Sequence, residues 1–498
     1  MLAVKLLTTM TIKQAEKNII NQKMKLSIAY INDVHGYLEP HPELFYLGGK
    51  EIIETAGGYA RIASVVKNIR KDNSNTLLFD GGDTFHGTLP LIQSKGEAII
   101  PILNKMGFNA MVGHWDFAYG PEQLKKLAME LNYPVLGINV YNEDGSLFLP
   151  PYIITIVEDL KIAVIGICSN IIDKTMPKHF SEGLKITDGA KELPIMVQRV
   201  KDEGANLVIL LSHNGFPQDV DLLSKVSGID VCLSAHTHNR LYEAIKINDT
   251  ILIQCGCHGS FLGHLELNID ENKIVEYDYE LITIKESISA DEEIENIVAQ
   301  IMQPFQDLKE EVFGKTKNVL HRYNTIESTM DDLLLSSIKS ISNADIAFSN
   351  GWRYGVPVPI GSITKWDLFN IIPMNPEVST VELTGEEIIK MLEENLERTF
   401  SAEPMKQMGG YIKRCLGISV KMRIENPNKH RIQQIFVGDE SLIKNKIYKT
   451  AFVTMQGVPE KLGKNRQNLS IKAVEAMKIF LIKNSNYNAE TCNTYSLV

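Results

Sequence analysis

The chain has 498 residues, which is too long for a single hydrophobic core because cores stop growing at about 250–300 residues. Two domains are therefore expected. The net charge of −10 disfavours a nucleic acid polymer or an anionic membrane as a partner, since both attract basic surfaces. The chain also lacks any stretch near the roughly 20 apolar residues of a membrane span, so a soluble globular protein is expected.

The first 24 residues have one short apolar run, Leu2–Met10, followed by polar residues. This segment lacks the small-residue pattern of a signal cleavage site. It is interpreted as an N-terminal extension, and a cytoplasmic location is expected.

From residue 25 to residue 286, short apolar runs rich in β-branched residues alternate with helical patterns, which is typical of a layered α/β domain. Residues 287–313 are acidic and are predicted to form a solvated linker helix. Residues 314–498 are predicted to form a smaller mixed α/β domain. The predicted strands of the first domain are Leu26–Ile31, Thr76–Phe79, Ala110–Val112, Val135–Val140, Lys161–Ile167, Leu207–Leu211 and Val231–Leu233.

Two amphipathic helices are predicted in the second domain, at Ser328–Ile341 and Gly385–Asn395. Thr384 precedes the second helix as a plausible N-cap, and acidic residues follow it in the first turn. The six cysteines are sparse and lie mostly in apolar runs, so free buried thiols are expected rather than disulfides. Cys255-Gly256-Cys257-His258 could be a metal or redox motif, but a buried strand and glycine turn is favoured.

Five predicted strands are followed directly by carboxylates or imidazoles. Because ligands bind at the carboxyl ends of strands in open α/β sheets, these side chains are expected to meet at one edge of one sheet. A mixture of carboxylates and imidazoles suits Mn, Zn, Fe or Co better than Ca or Mg. A histidine after a single strand is more often a hydrogen-bonded surface residue, but five such sites in order favour metal binding. These residues are Asp33, His35, Asp83, His114, Asp116, His213, His236 and His238.

These motifs resemble the metallophosphoesterase signature in the order found in the 5′-nucleotidase family. The resemblance implies a four-layer α/β/β/α sandwich followed by a smaller mixed α/β substrate-binding domain. It implies two divalent metal ions, one held by Asp33, His35, Asp83 and His238 and the other by Asp83, His114, His213 and His236. Asp83 would bridge the ions, and a metal-held hydroxide between them would hydrolyse a phosphomonoester, most simply a nucleotide. The motifs are Asp33-x-His35, Gly82-Asp83, Gly113–Asp116, His213 and His236-x-His238.

The second half of the chain resembles the substrate-binding domain of the same family around Ser349–Arg353 and Gly361–Thr364. The resemblance implies that Arg353 binds the anionic group of a small phosphorylated molecule, because a guanidinium matches phosphate oxygens in two directions. Asn350, Trp352 and Tyr354 are further candidate substrate-binding residues. For the two aromatic residues, a role in the core or at a domain interface is an equal alternative.

The chain departs from the family pattern in its third motif, which reads Gly113-His114-Trp115-Asp116 where the family has Gly-Asn-His followed by an acidic residue. Trp115 stands in place of the histidine that contacts the reacting group, and Ala118 in place of its carboxylate partner. The catalytic candidates are therefore Trp115, Asp116 and His86. Asp116 either orients His114 or has no role, and His86 either lines the site or contacts solvent.

The family's clamp of two aromatic rings for a nucleotide base is also incomplete, since Met374 follows the expected proline and residues 451–457 lack the glycine-rich run. The third motif is similar to that of the thiosulfohydrolases, a branch of this family. Hydrolysis of a sulfur-oxyanion or other phosphate-like group is therefore the alternative function. A catalytically quiet metal protein that binds a ligand between its domains is a third hypothesis, which the full set of metal ligands and Arg353 disfavour.

Overall fold

The computed structural model describes residues 24–489 and 494–498. The predicted N-terminal extension, apart from Met24, and Cys492 lie outside the described residues. No helix within these ranges is long and apolar enough to cross a membrane.

The first domain is built on two sheets. In each sheet the central strands run parallel, so their carboxyl ends share one rim. The five strands of the first sheet are, in spatial order, Lys273–Thr283, Phe261–Asp270, Met24–Ile31, Thr76–Asp80 and Ala110–Met111. The six strands of the second are Ile245–Ile247, Thr250–Ile253, Val231–Ser234, Leu207–Ser212, Leu160–Ile167 and Tyr152–Val157.

The two sheets pack face to face, and helices cover their outer faces. Along Met24–Ile31, Leu26 and Ile28 face the core between the sheets, whereas Ala29 and Ile31 face the helices. This alternation is the two-residue period of a strand buried on both faces. The predicted four-layer sandwich is thus confirmed. The main covering helices are Tyr59–Asp72 on the first sheet and Glu192–Asp202 and Phe216–Lys225 on the second.

The remaining elements of the first domain are short. The helices are Leu89–Ser94, Ile100–Met106, Pro121–Glu130 and Ile172–Thr175, with 3₁₀ turns at Glu97–Ile99, Trp115–Phe117 and Lys178–Phe180. The strands are the hairpin His41–Leu47 and Lys50–Ala56 and the pair Val140–Asn142 and Leu184–Ile186.

The predicted strand Val135–Val140 is wrong as a continuous strand. The Leu136 N–H donates to Met111 in the first sheet, whereas the Ile138 N–H donates to Gly166 in the second. The segment therefore crosses between the sheets. It is as apolar as a strand because it is buried, not because it belongs to one ladder.

The segment between the domains forms two helices, Glu292–Met302 and Gln306–Glu310, joined by a 3₁₀ turn at Gln303–Phe305. The side chain of Asp291 caps the first helix by accepting a hydrogen bond of 3.1 Å from the Ile294 N–H. Ile294, Val298 and Met302 are buried against the core of the first domain. The helix is therefore solvated on one face only. The domain limits stay a prediction, at residues 25–286, 287–313 and 314–498.

The second domain is the expected mixed α/β domain. Its first predicted helix is observed at Thr329–Ser342, and the second extends beyond its predicted end to span Gly385–Phe400, with a capping box between Thr384 and Glu387. Its other helices are Lys365–Ile371, Thr454–Gly457 and Ala473–Lys483, with a 3₁₀ turn at Pro404–Lys406.

Three sheets complete the described part of this domain. The largest has, in order, Arg414–Leu416, Ile346–Ser349, Ile447–Phe452, Glu377–Thr384 and Lys464–Lys472. The second has Glu440–Ser441, Ile432–Val437, Ile418–Met422 and Tyr495–Leu497. The third has Gly361–Thr364, Val312–Thr316 and Asn486–Tyr487.

Candidate metal centre

The candidate site lies at the rim where the parallel strands of both sheets end. Asp33, Asp83 and His114 follow strands of the first sheet, whereas His213 and His236 follow strands of the second. The expectation that one sheet supplies all five loops is therefore wrong. The loops still converge because the two sheets pack face to face with their carboxyl ends at a common rim.

The structure brings all seven predicted ligands together in the two predicted groups. Within each group, one potential ligand atom from every residue lies within 4.8 Å of the others. Asp83 is common to both. The groups are Asp83, His114, His213 and His236, and Asp33, His35, Asp83 and His238.

Asp83 is surrounded by imidazoles. Its Oδ2 lies 3.4 Å from Nε2 of His35 and 3.4 Å from Nε2 of His213, and its Oδ1 lies 3.4 Å from Nδ1 of His114. A carboxylate with both oxygens facing ring nitrogens has the position needed to bridge two cations.

The hydrogen bonds of the rings indicate which nitrogens are free to bind a cation. Nδ1 of His35 lies 3.3 Å from the His86 carbonyl, and Nδ1 of His213 lies 2.5 Å from the Gly81 carbonyl. Since a carbonyl only accepts, each Nδ1 carries a hydrogen, and Nε2 is the nitrogen of each ring that faces the cluster. Nε2 of His35 is also 3.3 Å from Nε2 of His238, as expected for two lone pairs directed at one cation.

The electrostatics of the site also fit cation binding. Burial lowers the pKa of His35 and of His238 to about 3, so both rings are neutral, which is the metal-binding form. Burial alone would raise the pKa of Asp83, but His213 and His114 hold it well below its usual range. For His213, burial lowers the pKa, but Asp83 outweighs burial and raises it to about 10. The buried Asp83 carboxylate therefore attracts positive charge to this point.

Five of the seven candidate ligands have left-handed backbone angles. Non-glycine residues rarely adopt a φ in this region, and each such residue costs about 1–3 kcal/mol. Hydrogen bonds between the loops hold the turns, from the Asp33 N–H to Gly82 at 2.9 Å and from the His35 N–H to the Asp83 carbonyl at 2.7 Å. The φ values are 53° at Asp33, 52° at His35, 60° at Asp83, 74° at His236 and 57° at His238.

Asp116 lies under the site rather than in it. Its carboxylate accepts hydrogen bonds from four backbone N–H groups, and the residue does not line the cavity described below. Its side chain anchors the loop of Asp83 and the turn at His114, in line with the expectation that Asp116 orients His114, and its assignment as a catalytic candidate stays a prediction. The donors are Asp83 at 2.9 Å, Thr84 at 2.9 Å, Phe85 at 3.0 Å and His114 at 3.1 Å.

Of the three catalytic candidates, only Trp115 lines the cavity. Its backbone N–H donates to Asp83 Oδ1 at 2.7 Å, which fixes the indole beside the cluster. His86 is fully buried and stacks on this indole with ring centroids 4.7 Å apart. It does not line the cavity, and as a fully buried ring it does not contact solvent, whereas its assignment as a catalytic residue stays a prediction.

A cavity of about 890 Å³ lies between the domains and reaches the metal cluster. All four predicted substrate-binding residues, Asn350, Trp352, Arg353 and Tyr354, line it. Arg353 donates from Nη1 to the His236 carbonyl at 3.0 Å, and its buried Nε has no hydrogen-bond partner within the described chain. The guanidinium therefore retains a donor for an anion beside the cluster.

Several cavity residues were not predicted. Gly409 has a φ of 73°, and a Cβ at this position would lie 1.7 Å from Nε2 of His236, so only glycine lets the second domain approach the cluster here. The pair Gly409-Gly410 was a usable signal in the sequence. Thr175, Tyr411 and Gln456 also line the cavity, but no motif indicated them because the domains meet there only in the folded chain.

A helix–sheet–sheet–helix sandwich with two overlapping carboxylate and imidazole clusters at its rim defines the class of metallophosphoesterase folds. Comparison with known families gives the same result. Residues 26–240 match the calcineurin-like phosphoesterase family, and residues 309–455 match the 5′-nucleotidase C-terminal domain.

Individual relatives match this chain in sequence. A trifunctional nucleotide phosphoesterase protein of Bacillus subtilis is 23% identical over 460 residues, covering 82% of this chain and 30% of the relative. An NAD 5′-nucleotidase of Haemophilus influenzae is 33% identical over 223 residues, covering 44% of this chain and 37% of the relative. The chain thus spans about a third of the length of these two relatives.

Two solved structures from Thermus thermophilus have the same fold. The sulfate thiohydrolase SoxB superposes with a TM-score of 0.88 at 23% identity, covering 95% of this chain and 96% of the other. A 5′-nucleotidase precursor superposes with a TM-score of 0.84 at 20% identity, covering 95% and 99%. The chain belongs to the metallophosphoesterases in which a calcineurin-like domain is followed by a 5′-nucleotidase C-terminal domain, a family that implies divalent metal ions.

Proposed function

We propose that this protein is a metal-dependent hydrolase of phosphomonoesters, a 5′-nucleotidase or related nucleotide phosphoesterase, and that it holds two divalent ions. The observation that carries the proposal is that Asp83 is shared by two ligand groups, and that five of their seven residues line one cavity together with Arg353. The names of the relatives support the choice of a phosphate ester as substrate.

The residues present fit two ions. Each group offers four ligands, and Nε2 of His213 and both ring nitrogens of His114 are buried without a hydrogen-bond partner in the described chain. The mixed donor set favours Mn, Zn, Fe or Co. When bound, the ions would supply Lewis acidity and lower the pKa of water for attack at phosphorus.

The other cavity residues have distinct roles in this proposal. Arg353 binds the phosphoryl oxygens and orients the ester against the cluster. Trp115 forms an aromatic wall with Tyr354, their ring centroids 5.6 Å apart, and limits the access of water. Because an indole N–H donates a hydrogen bond but does not transfer a proton at neutral pH, Trp115 gives the leaving group no acid assistance.

The experiment is a substrate screen on protein stripped of metal and reloaded with manganese, zinc, iron or cobalt. Turnover of nucleoside monophosphates or other phosphomonoesters, dependent on added metal, is the expected result. Metal-loaded protein that hydrolyses no phosphate ester would contradict the proposal.

A second candidate is hydrolysis of a sulfur-oxyanion group. It is favoured by Trp115, which lines the cavity and belongs to the motif that is similar to that of the thiosulfohydrolases. A peptide carrying cysteine S-thiosulfonate belongs in the same screen. Turnover of this peptide without turnover of any phosphate ester would support the second candidate over the first.

A further inference from the structure

Gln456 connects the two domains across the wall of the cavity. Its side-chain Nε2 donates to the carbonyl of Thr175 in the first domain at 2.9 Å. Its Oε1 accepts from the indole N–H of Trp352 in the second domain at 3.3 Å. The Nε2 end of the amide therefore crosses to the first domain, the Oε1 end holds the side chain to Trp352 within its own domain, and Gln456, Thr175 and Trp352 all line the cavity.

The backbone around Gln456 is held in place as firmly as its side chain. The Lys413 ammonium donates to the carbonyl of Gln456 at 2.7 Å and to that of Gly457 at 2.8 Å. Lys413 is buried, so these two carbonyls satisfy a charge that would otherwise be costly to desolvate. The position of Gln456 is thus determined by contacts on three sides.

The turn that presents Gln456 is strained. Thr454 has a φ of 59°, which is a genuine outlier for a β-branched residue, and its buried hydroxyl has no hydrogen-bond partner within the described chain. Strain of this kind persists where the surrounding structure demands one backbone path, and it is concentrated at functional sites. Here the strained turn delivers Gln456 to the cavity wall.

We infer that Gln456 is a specificity-determining residue, which limits how far the leaving group of a substrate can extend between the domains. At the point where Gln456 and Thr175 are hydrogen-bonded, no space remains between the walls of the cavity for a substrate group. A long leaving group must therefore break the bond between Gln456 and Thr175, whereas a short one need not. The inference rests on the proposed phosphomonoesterase function, and it identifies esters with compact leaving groups as the preferred substrates.

The test compares phenyl phosphate with 4-phenylphenyl phosphate, whose leaving groups are similar in pKa but differ in length. Gln456→Ala should raise the ratio of kcat/KM for the long ester to that for the short ester by about tenfold, since pocket changes of this size alter discrimination by about 10–200-fold. Gln434→Ala, at an exposed position of the strand Ile432–Val437 in the second domain, is the matched control. An unchanged or lower ratio in Gln456→Ala would overturn the inference.

A second variant separates hydrogen bonding from bulk. Gln456→Met keeps a long side chain but cannot bridge Trp352 and Thr175, so it should raise the ratio as well. If Gln456→Ala raised the ratio and Gln456→Met left it at the wild-type value, bulk alone would set the limit and the bridge would be refuted.

Amide hydrogen exchange tests the bridge without any turnover. Gln456→Ala should speed exchange in residues 171–182, which carry the Thr175 carbonyl, whereas Gln434→Ala should not. Unchanged exchange would refute the bridge even in an active enzyme. Conversely, faster exchange in a protein that hydrolyses neither ester would show that the bridge exists and that the proposed phosphomonoesterase function is wrong.

Discussion

Asp83 is the residue on which most of the site depends. Three histidine rings face its carboxylate, and the Trp115 N–H donates to the same group. Its own carbonyl accepts from the His35 N–H. One side chain and one backbone group therefore connect both ligand sets, so changes at this position should affect metal binding before anything else.

We expect Asp83→Asn to lose bound metal and all turnover, because two clustered cations would lose their shared anion. Asparagine is chosen because it tolerates the left-handed backbone at this position. The control is Asp332→Asn in the second domain, where burial and Asp331 raise the pKa of Asp332 to about 8 and keep it largely neutral at pH 7. Elemental analysis measures the metal content of both variants. About two ions per chain in Asp83→Asn would contradict the bridging role.

Arg353 should contribute to substrate binding and not to metal binding. We expect Arg353→Lys to raise KM by about tenfold or more, because an ammonium cannot reproduce the two-directional fork, while metal content stays unchanged. Arg423→Lys, an exposed arginine of the same domain, is the control. An unchanged KM in steady-state kinetics would show that another cation meets the phosphoryl group.

The indole at position 115 leads to a prediction of how the rate of ester hydrolysis depends on the leaving group. Without acid assistance the rate should fall steeply as the leaving-group pKa rises, since such assistance is typically worth ~10²–10⁴ in rate. A series of substituted phenyl phosphates measures this slope. Replacing Trp115 and Ala118 together by His and Asp should flatten it, and a flat slope in the wild-type enzyme with chemistry rate-limiting would refute the role given to Trp115.

At the scale of elements, the strands and their polar ends were largely predictable and the cavity was not. The apolar run Leu207–Ser212 is followed directly by His213, and a buried polar residue directly after an apolar strand is typical of a functional site. The crossing segment at Leu136–Ile138 was mistaken for a strand because burial alone makes a run apolar. Contacts such as Gln456 with Thr175 join residues 281 positions apart, and no local pattern encodes them.

The 3₁₀ turn Trp115–Phe117 depends on Asp116, which collects four backbone N–H groups. We expect Asp116→Asn to lower the free energy of unfolding by about 2–4 kcal/mol and to weaken metal binding. The reason is that an amide has only one accepting oxygen, and its NH₂ group would face backbone N–H groups that are themselves donors. Asp219→Asn is the control, since that carboxylate accepts from the hydroxyls of Ser212 and Ser234, which can rotate. Denaturant unfolding of both variants tests this, and equal losses of stability would contradict it.

At the scale of the whole molecule, buried polar contacts hold the two domains in the arrangement that forms the cavity. Glu43 of the first domain pairs with Arg240 at 2.8 Å and accepts from Ser260 at 2.6 Å. Tyr323 of the second domain donates to the same carboxylate and lies 3.2 Å from Nδ1 of His258. The carboxylate thus joins a network within one domain to a hydroxyl from the other.

We expect Tyr323→Phe to destabilise the folded protein by about 1–2 kcal/mol, because the variant loses one hydrogen bond to a buried charge that keeps its other partners. KM should rise because the domains are held less firmly around the cavity. Tyr242→Phe, at an exposed tyrosine, is the control. Unfolding curves and steady-state kinetics measure both effects, and a Tyr323→Phe variant identical to wild type would show that the other interdomain contacts suffice.

The left-handed turns at the rim have a consequence for the evolution of this chain. If a descendant no longer used metal, alanine at Asp33, His35, Asp83, His236 or His238 would remove the ligand but retain the unfavourable backbone angle. Glycine would remove both, and asparagine would tolerate the angle. Selection for stability alone would therefore favour glycine or asparagine at these five positions. Such residues after the same strands in a related sequence would mark a metal centre that had been lost.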